Sequence, residues 1–67
     1  MKTIADIRDI SRIRLFLEEI DEPITQTELG KATGTQNVIK SALRFMLKIN
    51  WVEVLEERTP LYYLNKE

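Results

Sequence analysis

The sequence predicts a small α+β domain in which three helices precede an antiparallel β-hairpin. Apolar residues recur at helical spacing as far as residue 49. Two helix-start signals, Thr25 and Thr35, are separated by Gly34. After Asn50 the pattern changes to two short stretches rich in β-branched and aromatic residues, which favour strands. With 67 residues the chain should form one domain, covering 1–67.

The first helix is predicted over residues 3–20, with Thr3 and Asp6 as a capping pair at its start. Apolar residues spaced by three, four and three positions form the stripe that should face the core. This stripe consists of Ile10, Ile13, Leu17 and Ile20, and Phe16 extends it. Pro23 cannot continue the helix, so a short extended link at Ile24 should follow.

A second apolar group lies on nearly the opposite face of this helix, at about 100° per residue. The group is Ile4, Ile7 and Leu15. One apolar face packs on the domain's own core, and the other needs a second surface. That surface is either a second subunit or the hairpin of the same chain. We favour a homodimer, because a domain of this size hides only about 60% of its unfolded surface and gains from further burial.

The second helix is predicted over residues 26–33, where Thr25 and Glu28 form a capping box. Its inward positions are Leu29 and Ala32. Gly30 is unfavourable inside a helix, which indicates the close approach of a neighbouring helix. Gly34 should end the helix, because glycine readily adopts the left-handed conformation.

Thr35 is predicted to cap a third helix over residues 36–49, whose apolar and polar residues fall on separate arcs. The apolar arc contains Val38, Ile39, Ala42, Leu43, Phe45, Met46 and Ile49. The polar arc contains Gln36, Asn37, Lys40, Ser41, Arg44 and Lys48. Leu47 is the one apolar residue on the polar side. Asn50 follows and suits a left-handed helix end.

Two strands are predicted, over residues 51–55 and 61–64, with a five-residue connection between them. Tyr62 and Leu64 should point inward, because alternate residues of a strand face opposite sides. Leu61 and Tyr63 should therefore point outward. Trp51 is expected to cover the open end of the core.

Positive charge is concentrated in one part of an otherwise acidic chain. The net charge is −1 and the pI about 5.4. Residues 30–52 contain no acidic residue, however, and carry the bases Lys31, Lys40, Arg44 and Lys48. The field of such a local patch matters more for binding than the total charge.

Several function classes are disfavoured by composition. The chain has no cysteine and no histidine, which are common nucleophiles, bases and metal ligands. No phosphate-binding or dinucleotide motif is present, so we expect neither an enzyme nor a cofactor. No apolar run is long enough to span a bilayer and no leader precedes the fold, which favours a cytoplasmic protein without membrane contact.

The order helix, link, helix, tight turn, helix and hairpin resembles the winged helix-turn-helix domain of small bacterial and archaeal transcription regulators, over about residues 8–65. The segment Ile39-x-x-x-Leu43-x-x-Met46-x-x-x-Asn50-Trp51-Val52 resembles the family's recognition helix and the start of its wing. The stretch TQTELGKATG resembles the supporting helix, in which the family prefers a small residue where Gly30 stands. The resemblance implies an α+β, three-helix winged helix-turn-helix with a C-terminal β-hairpin wing.

This resemblance implies that the third helix enters the major groove of duplex DNA, which would make the protein a sequence-specific transcription regulator. The candidate DNA-binding residues are Thr35, Gln36, Asn37, Lys40, Ser41, Arg44, Lys48 and Arg58. Amide side chains suit adenine, arginine suits guanine or phosphate, and lysines suit phosphate. A two-fold homodimer would place two such helices on successive major grooves, about 34 Å apart.

Two alternatives remain open from the sequence. The polar arc of the third helix is also what an ordinary solvated face would show. The hairpin connection holds Glu56 and Glu57 beside a single Arg58, which suits a protein partner better than DNA phosphates. The alternative function is therefore a winged helix that acts as a protein-protein interaction module within a larger complex.

Overall fold

The computed structural model describes residues 5–65, which form three helices and a three-stranded antiparallel sheet. The helices are α1 (Ile7–Ile20), α2 (Gln26–Thr33) and α3 (Ile39–Lys48). The strands are β1 (Ile24–Thr25), β2 (Val52–Leu55) and β3 (Leu61–Leu64). The predicted α+β class, helix count and hairpin are confirmed. The segment predicted as an extended link at Ile24 is a third strand, β1, because it pairs with β3. Strand β3 is therefore the central strand, in the order β1-β3-β2.

Helix α1 begins at Ile7, so the predicted start at residue 3 is wrong. Asp6 is the N-cap: its Oδ1 accepts from the Asp9 amide at 3.0 Å, and Asp9 Oδ2 accepts from the Asp6 amide at 3.2 Å. This reciprocal capping box satisfies two amides that would otherwise lack partners, which starts the helix here. The proposed cap Thr3 lies outside the described residues. Asp21 ends the helix with a left-handed φ of 50°.

Helix α2 has the predicted bounds, N-cap residue and C-terminal glycine, but of the predicted capping box only the half in which Thr25 accepts is formed. Thr25 Oγ1 accepts from the Glu28 amide at 3.3 Å, and Gly34 is left-handed with φ of 70°. A Cβ on Gly30 would lie 3.3 Å from Gln36 Cα, which confirms the predicted close approach. One inward position is wrong, since Ala32 is exposed. The buried residues of α2 are Leu29, Gly30 and Thr33.

Helix α3 begins three residues later than predicted, at Ile39. Residues 36–38 form a turn in which the Val38 amide donates to the Thr35 carbonyl at 2.9 Å. Thr35 is therefore not a helix cap, and no side chain caps α3. The predicted left-handed Asn50 is confirmed at φ of 64°.

The end of α3 is closed by two backbone hydrogen bonds. The Asn50 amide donates to the Leu47 carbonyl at 3.1 Å, and the Trp51 amide donates to the Met46 carbonyl at 2.9 Å. This pair of bonds is the Schellman arrangement, which satisfies carbonyls that have no partner within the helix. It turns the chain directly into β2.

The core lies between the three helices and one face of the sheet. Its buried residues are Ile10, Ile13, Leu17, Leu29, Ile39, Ala42, Leu43, Met46 and Val52. Tyr62 and Leu64 pack against this core, as predicted from strand alternation. Phe45, Ile49 and Trp51 were expected to be buried or to cover the core, but all three are exposed.

Strands β2 and β3 pair in the register Val52↔Leu64 to Leu55↔Leu61. Five residues connect them, as predicted, and Pro60 lies immediately before β3. Beyond the pairing, the Asn65 amide donates to the Trp51 carbonyl and the Asn65 side chain donates to the Asn50 carbonyl, both at 2.9 Å. These bonds tie the end of the hairpin to the end of α3.

Candidate nucleic-acid interface

Three basic side chains of α3 form one exposed strip. Lys40, Arg44 and Lys48 follow one another at intervals of four residues, which spreads them over only about 80° of the helix surface. All three are exposed. We call these residues the basic strip. As predicted, no acidic side chain lies on α3.

The basic strip lines one side of a shallow groove of about 560 Å³. The other residues that line this groove are Gln26, Leu43, Leu47 and Tyr62. Leu47, which did not fit the polar arc, is half-buried and packs against the core, so it forms part of the groove's floor. Gln26, which follows β1, and Tyr62 in β3 were not among the predicted contact residues, because the pairing of β1 with β3 was not predicted.

Three of the predicted contact residues lie in or directly before the turn that precedes α3, and not on the helix itself. Gln36 and Asn37 are exposed, but they lie in the turn and not in the first turn of the helix. Thr35 is only 3% exposed, and its hydroxyl lies 2.7 Å from that of Thr33. An enclosed, hydrogen-bonded hydroxyl cannot contact DNA, so the assignment of Thr35 to the contact surface is wrong.

The two remaining predicted contacts are Ser41, which borders the basic strip on α3, and Arg58, which lies in the hairpin connection. Ser41 is exposed but lines a different groove, on the α1 side of α3. Arg58 is exposed in the connection between β2 and β3, directly after Glu56 and Glu57, and does not line the groove of the basic strip. Ser41 lies about 60° around α3 from Arg44 and can contribute to the same surface, whereas nothing brings Arg58 to this groove.

The second groove runs between α1 and α3, has a volume of about 800 Å³ and is mainly apolar. We call it the α1–α3 groove. Ile7 is 77% exposed and Leu15 is 63% exposed, and both line it. The alternative that the hairpin of the same chain covers these two side chains is therefore wrong. Ile4, the third predicted member of this face, lies outside the described residues.

Two arginines of α1 make structural contacts. The Arg12 guanidinium donates to the Thr33 carbonyl at 3.4 Å, which places a cation at the C-terminal end of α2, where the helix dipole favours it. The Arg14 guanidinium lies over the Trp51 ring, 4.8 Å from its centroid. This distance is within the range of a cation–π interaction.

Within residues 5–65, no helix is long and apolar enough to cross a membrane, and no three acidic or other metal-ligating side chains are grouped as a metal site. Comparisons with protein-family models, curated proteins and solved structures found no match.

Proposed function

We propose that the domain is a winged helix that binds duplex DNA through α3 and regulates transcription by occupying a specific site. The basic strip carries this proposal. In a chain of net charge −1, its three bases lie together on one exposed helix face, and no acidic residue occurs from residue 30 to residue 52. An ordinary solvated helix face usually mixes both signs of charge.

The shape of this region supports the proposal. An α-helix with its side chains is about 10–12 Å wide and fits the major groove, which is about 12 Å wide. The close approach at Gly30 holds α2 against the turn that leads into α3. The basic strip therefore begins next to a closely packed corner between α2 and α3.

The proposed roles follow from side-chain chemistry. Lys40 and Lys48 bind phosphates, and Arg44 binds guanine or phosphate. The amides of Gln36 and Asn37 bind adenine edges from the turn at the start of α3. The Gln26 amide and the Tyr62 hydroxyl line the same groove as the basic strip. In this proposal both donate hydrogen bonds to phosphate oxygens.

The first test is fluorescence anisotropy of a random-sequence duplex titrated with the protein at 50 and 200 mM salt. If two chains together make about six phosphate contacts, the logarithm of the affinity should fall with the logarithm of salt with a slope near −5. Binding that does not depend on salt, or no binding at the lower salt concentration, would overturn the proposal.

The variant that tests the assignment to α3 is Lys40→Glu with Arg44→Glu. We expect it to lose DNA binding while its circular dichroism spectrum and melting temperature stay unchanged, because both side chains are exposed. A matched pair of single variants is Arg44→Glu and the control Arg8→Glu, which changes the charge equally at an exposed position outside the basic strip and outside residues 30–52. If both variants lose equal affinity, only the total charge matters and the assignment to α3 fails.

The second candidate function is a protein-protein interaction module, which the exposed α1–α3 groove favours. Its apolar side chains are of the kind that protein interfaces bury. The same titration separates the two functions, since an interaction module would leave the duplex unbound at low salt.

A further inference from the structure

Strand β2 lies at one edge of the sheet, because the strand order is β1-β3-β2. The direction in which its backbone groups point follows from a hydrogen bond beside the strand. The Asn65 amide donates to the Trp51 carbonyl at 2.9 Å, and these residues continue the register Val52↔Leu64. They are therefore a hydrogen-bonded pair of the antiparallel ladder, in which hydrogen-bonded and non-hydrogen-bonded pairs alternate. The backbone groups of Glu53 accordingly point toward β3, and those of Val52 point away from it.

The open edge of β2 is formed by the amides and carbonyls of Val52 and Val54, which the alternation directs away from β3. In the part of the chain that the structure describes, no hydrogen bond from another element reaches these groups. Unpaired amide and carbonyl groups along a sheet edge are a template on which a further strand pairs. The edge therefore has the backbone geometry of a strand-binding site.

An apolar groove of about 480 Å³ begins at this edge and runs from β2 across β3 to the C-terminal end of α1. Its apolar lining on the sheet comes from Leu55 of β2 and from Tyr63 of β3, and Pro23 lines it near α1. Leu55 and Pro23 are exposed, so this surface is open to a partner. We call it the acidic groove, for the charges that its lining carries.

The charged residues that line the acidic groove are all acidic, and they are Asp21, Glu22 and Glu53. The C-terminal end of α1 lies at the same place and carries a partial negative charge. No basic residue occurs in the last turn of this helix to offset it. Charge complementarity therefore calls for a cationic partner at this groove.

We propose that the edge of β2 binds an extended segment of a partner protein in which basic and apolar residues alternate. The segment adds to the sheet as an antiparallel fourth strand, which continues the pattern of the three strands present. Its basic side chains lie beside Glu53 on the face of the acidic groove, where opposite charges on neighbouring strands attract. Its apolar side chains lie beside Val52 and Val54 on the other face. The proposal goes beyond DNA binding and does not depend on it.

A second copy of the chain fits this edge poorly. In the antiparallel registers that overlap two copies of β2, the two Glu53 side chains lie on the same face, either directly opposite or diagonal to one another. Like charges at such positions repel, and the lining of the acidic groove brings no base to offset them. The charge of the edge therefore selects a basic partner over self-pairing.

The first test is fluorescence anisotropy of a labelled synthetic peptide of about eight residues, in which lysine alternates with valine. We expect binding, and we expect none for the same peptide with glutamate in place of lysine. In the antiparallel arrangement the valine amides point toward β2 and the lysine amides point to solvent. Methylation of the valine amides should therefore weaken binding about tenfold, whereas methylation of the lysine amides should leave it unchanged. Equal binding of the two methylated peptides would overturn the added strand.

The second test changes the edge of the protein. Val54→Pro removes an amide that makes no bond to β3, so the variant should fold, with an unchanged circular dichroism spectrum, and bind the lysine peptide about tenfold more weakly. Glu53→Lys should weaken binding about five-fold. Its matched control is Glu28→Lys, an exposed acidic position outside the acidic groove, which should bind as the parent protein does. If Val54→Pro does not fold, equal affinities of Glu53→Lys and Glu28→Lys still contradict the proposal.

The nuclear magnetic resonance spectrum of the protein shows where the peptide lies and whether a second copy competes. Addition of the lysine peptide should shift the amide signals of Val52 and Val54 most and slow the hydrogen exchange of both amides. Without peptide, these signals should not depend on protein concentration. Shifts confined to the α1–α3 groove, or edge amides that become protected as the protein alone is concentrated, would overturn the proposal.

The outcome for the edge can be separated from the outcome for DNA binding. Lys40→Glu with Arg44→Glu should bind the lysine peptide as the parent protein does while it fails to bind duplex DNA. Val54→Pro should bind duplex DNA with the affinity of the parent protein. A protein that binds the peptide at β2 but never binds DNA would sink the proposed function and leave the edge assignment standing.

Discussion

Two threonine hydroxyls are buried at the corner between α2 and α3, and their hydrogen bonds have a defined direction. Thr33 Oγ1 donates to the Leu29 carbonyl at 2.8 Å. A hydroxyl has one proton, so Thr33 can only accept in its 2.7 Å contact with Thr35, and Thr35 is the donor. This chain of bonds explains why Thr35 stabilises the turn and does not cap α3.

Thr33→Val should destabilise the domain by about 1–3 kcal/mol, because it leaves the buried Thr35 hydroxyl without its acceptor. The double variant Thr33→Val with Thr35→Val should recover part of this loss, since it removes both polar groups. The measurement is urea denaturation followed by circular dichroism. If Thr35→Val costs as much stability in the Thr33→Val background as it does in the parent protein, the two hydroxyls do not interact.

At the scale of a secondary-structure element, the start of α1 depends on a titratable group. The Asp9 amide donates to the Asp6 carboxylate and lowers the pKa of Asp6 below its ordinary value. A carboxyl group whose pKa is lowered by folding contributes stability above its unfolded pKa, and this contribution is lost as the pH falls through the folded pKa. The cap of α1 should therefore weaken in acid.

Asp6→Ala should reduce the free energy of unfolding at neutral pH, and this difference from the parent protein should shrink below about pH 4, as Asp6 becomes protonated in the parent. Asp6→Asn keeps a side-chain oxygen acceptor and does not titrate, so the difference in stability between Asp6→Asn and Asp6→Ala should stay constant over the same pH range. The measurement is urea denaturation across the acidic range. A constant difference between the parent protein and Asp6→Ala at all pH values would contradict the role of the charged cap.

Helix α3 shows how one element can present two chemically distinct surfaces. The basic strip occupies one face, and Phe45 and Ile49 extend into the α1–α3 groove on another. The remaining face carries the buried residues Ile39, Ala42, Leu43 and Met46. A ten-residue helix in a small domain therefore contributes to the core and also to both proposed binding surfaces.

At the scale of the whole molecule, the acidic connection between β2 and β3 opposes the proposed binding of DNA. The connection between β2 and β3 carries Glu56 and Glu57, which would repel phosphates next to a duplex bound by α3. Charges within about 10 Å of one another interact appreciably at 0.1 M salt. The acidic connection should therefore limit binding to nonspecific DNA.

Glu56→Lys with Glu57→Lys should strengthen binding to a random-sequence duplex several-fold at 50 mM salt and make its salt slope steeper. The reason is that attraction to phosphates replaces repulsion if the hairpin acts as a wing beside the duplex. The measurement is the anisotropy titration used for the parent protein. Unchanged affinity and slope would place the hairpin away from DNA and favour a protein partner for that end of the domain.

The sequence by itself determined the elements that depend on local chemistry. The bounds of α2 follow from the Thr25 cap and from Gly34, and the left-handed Asn50 follows from its position after α3. The buried stripe of α1 and the inward positions of β3 follow from the periods of helix and strand. The predicted basic residues of α3 are exposed because charged side chains are rarely buried without a partner.

Only the tertiary structure decided the features that depend on what packs against each element. In the sequence Thr35 resembles a helix cap, but in the structure its hydroxyl bonds to Thr33. Residues 24–25 form a strand because β3 pairs with them. Periodicity placed Phe45 and Ile49 on an apolar arc, but a core of this size covers only part of that arc, so both side chains line the open α1–α3 groove. A sequence pattern shows which face of a helix is apolar, whereas the area that its neighbours can cover determines how much of that face is buried.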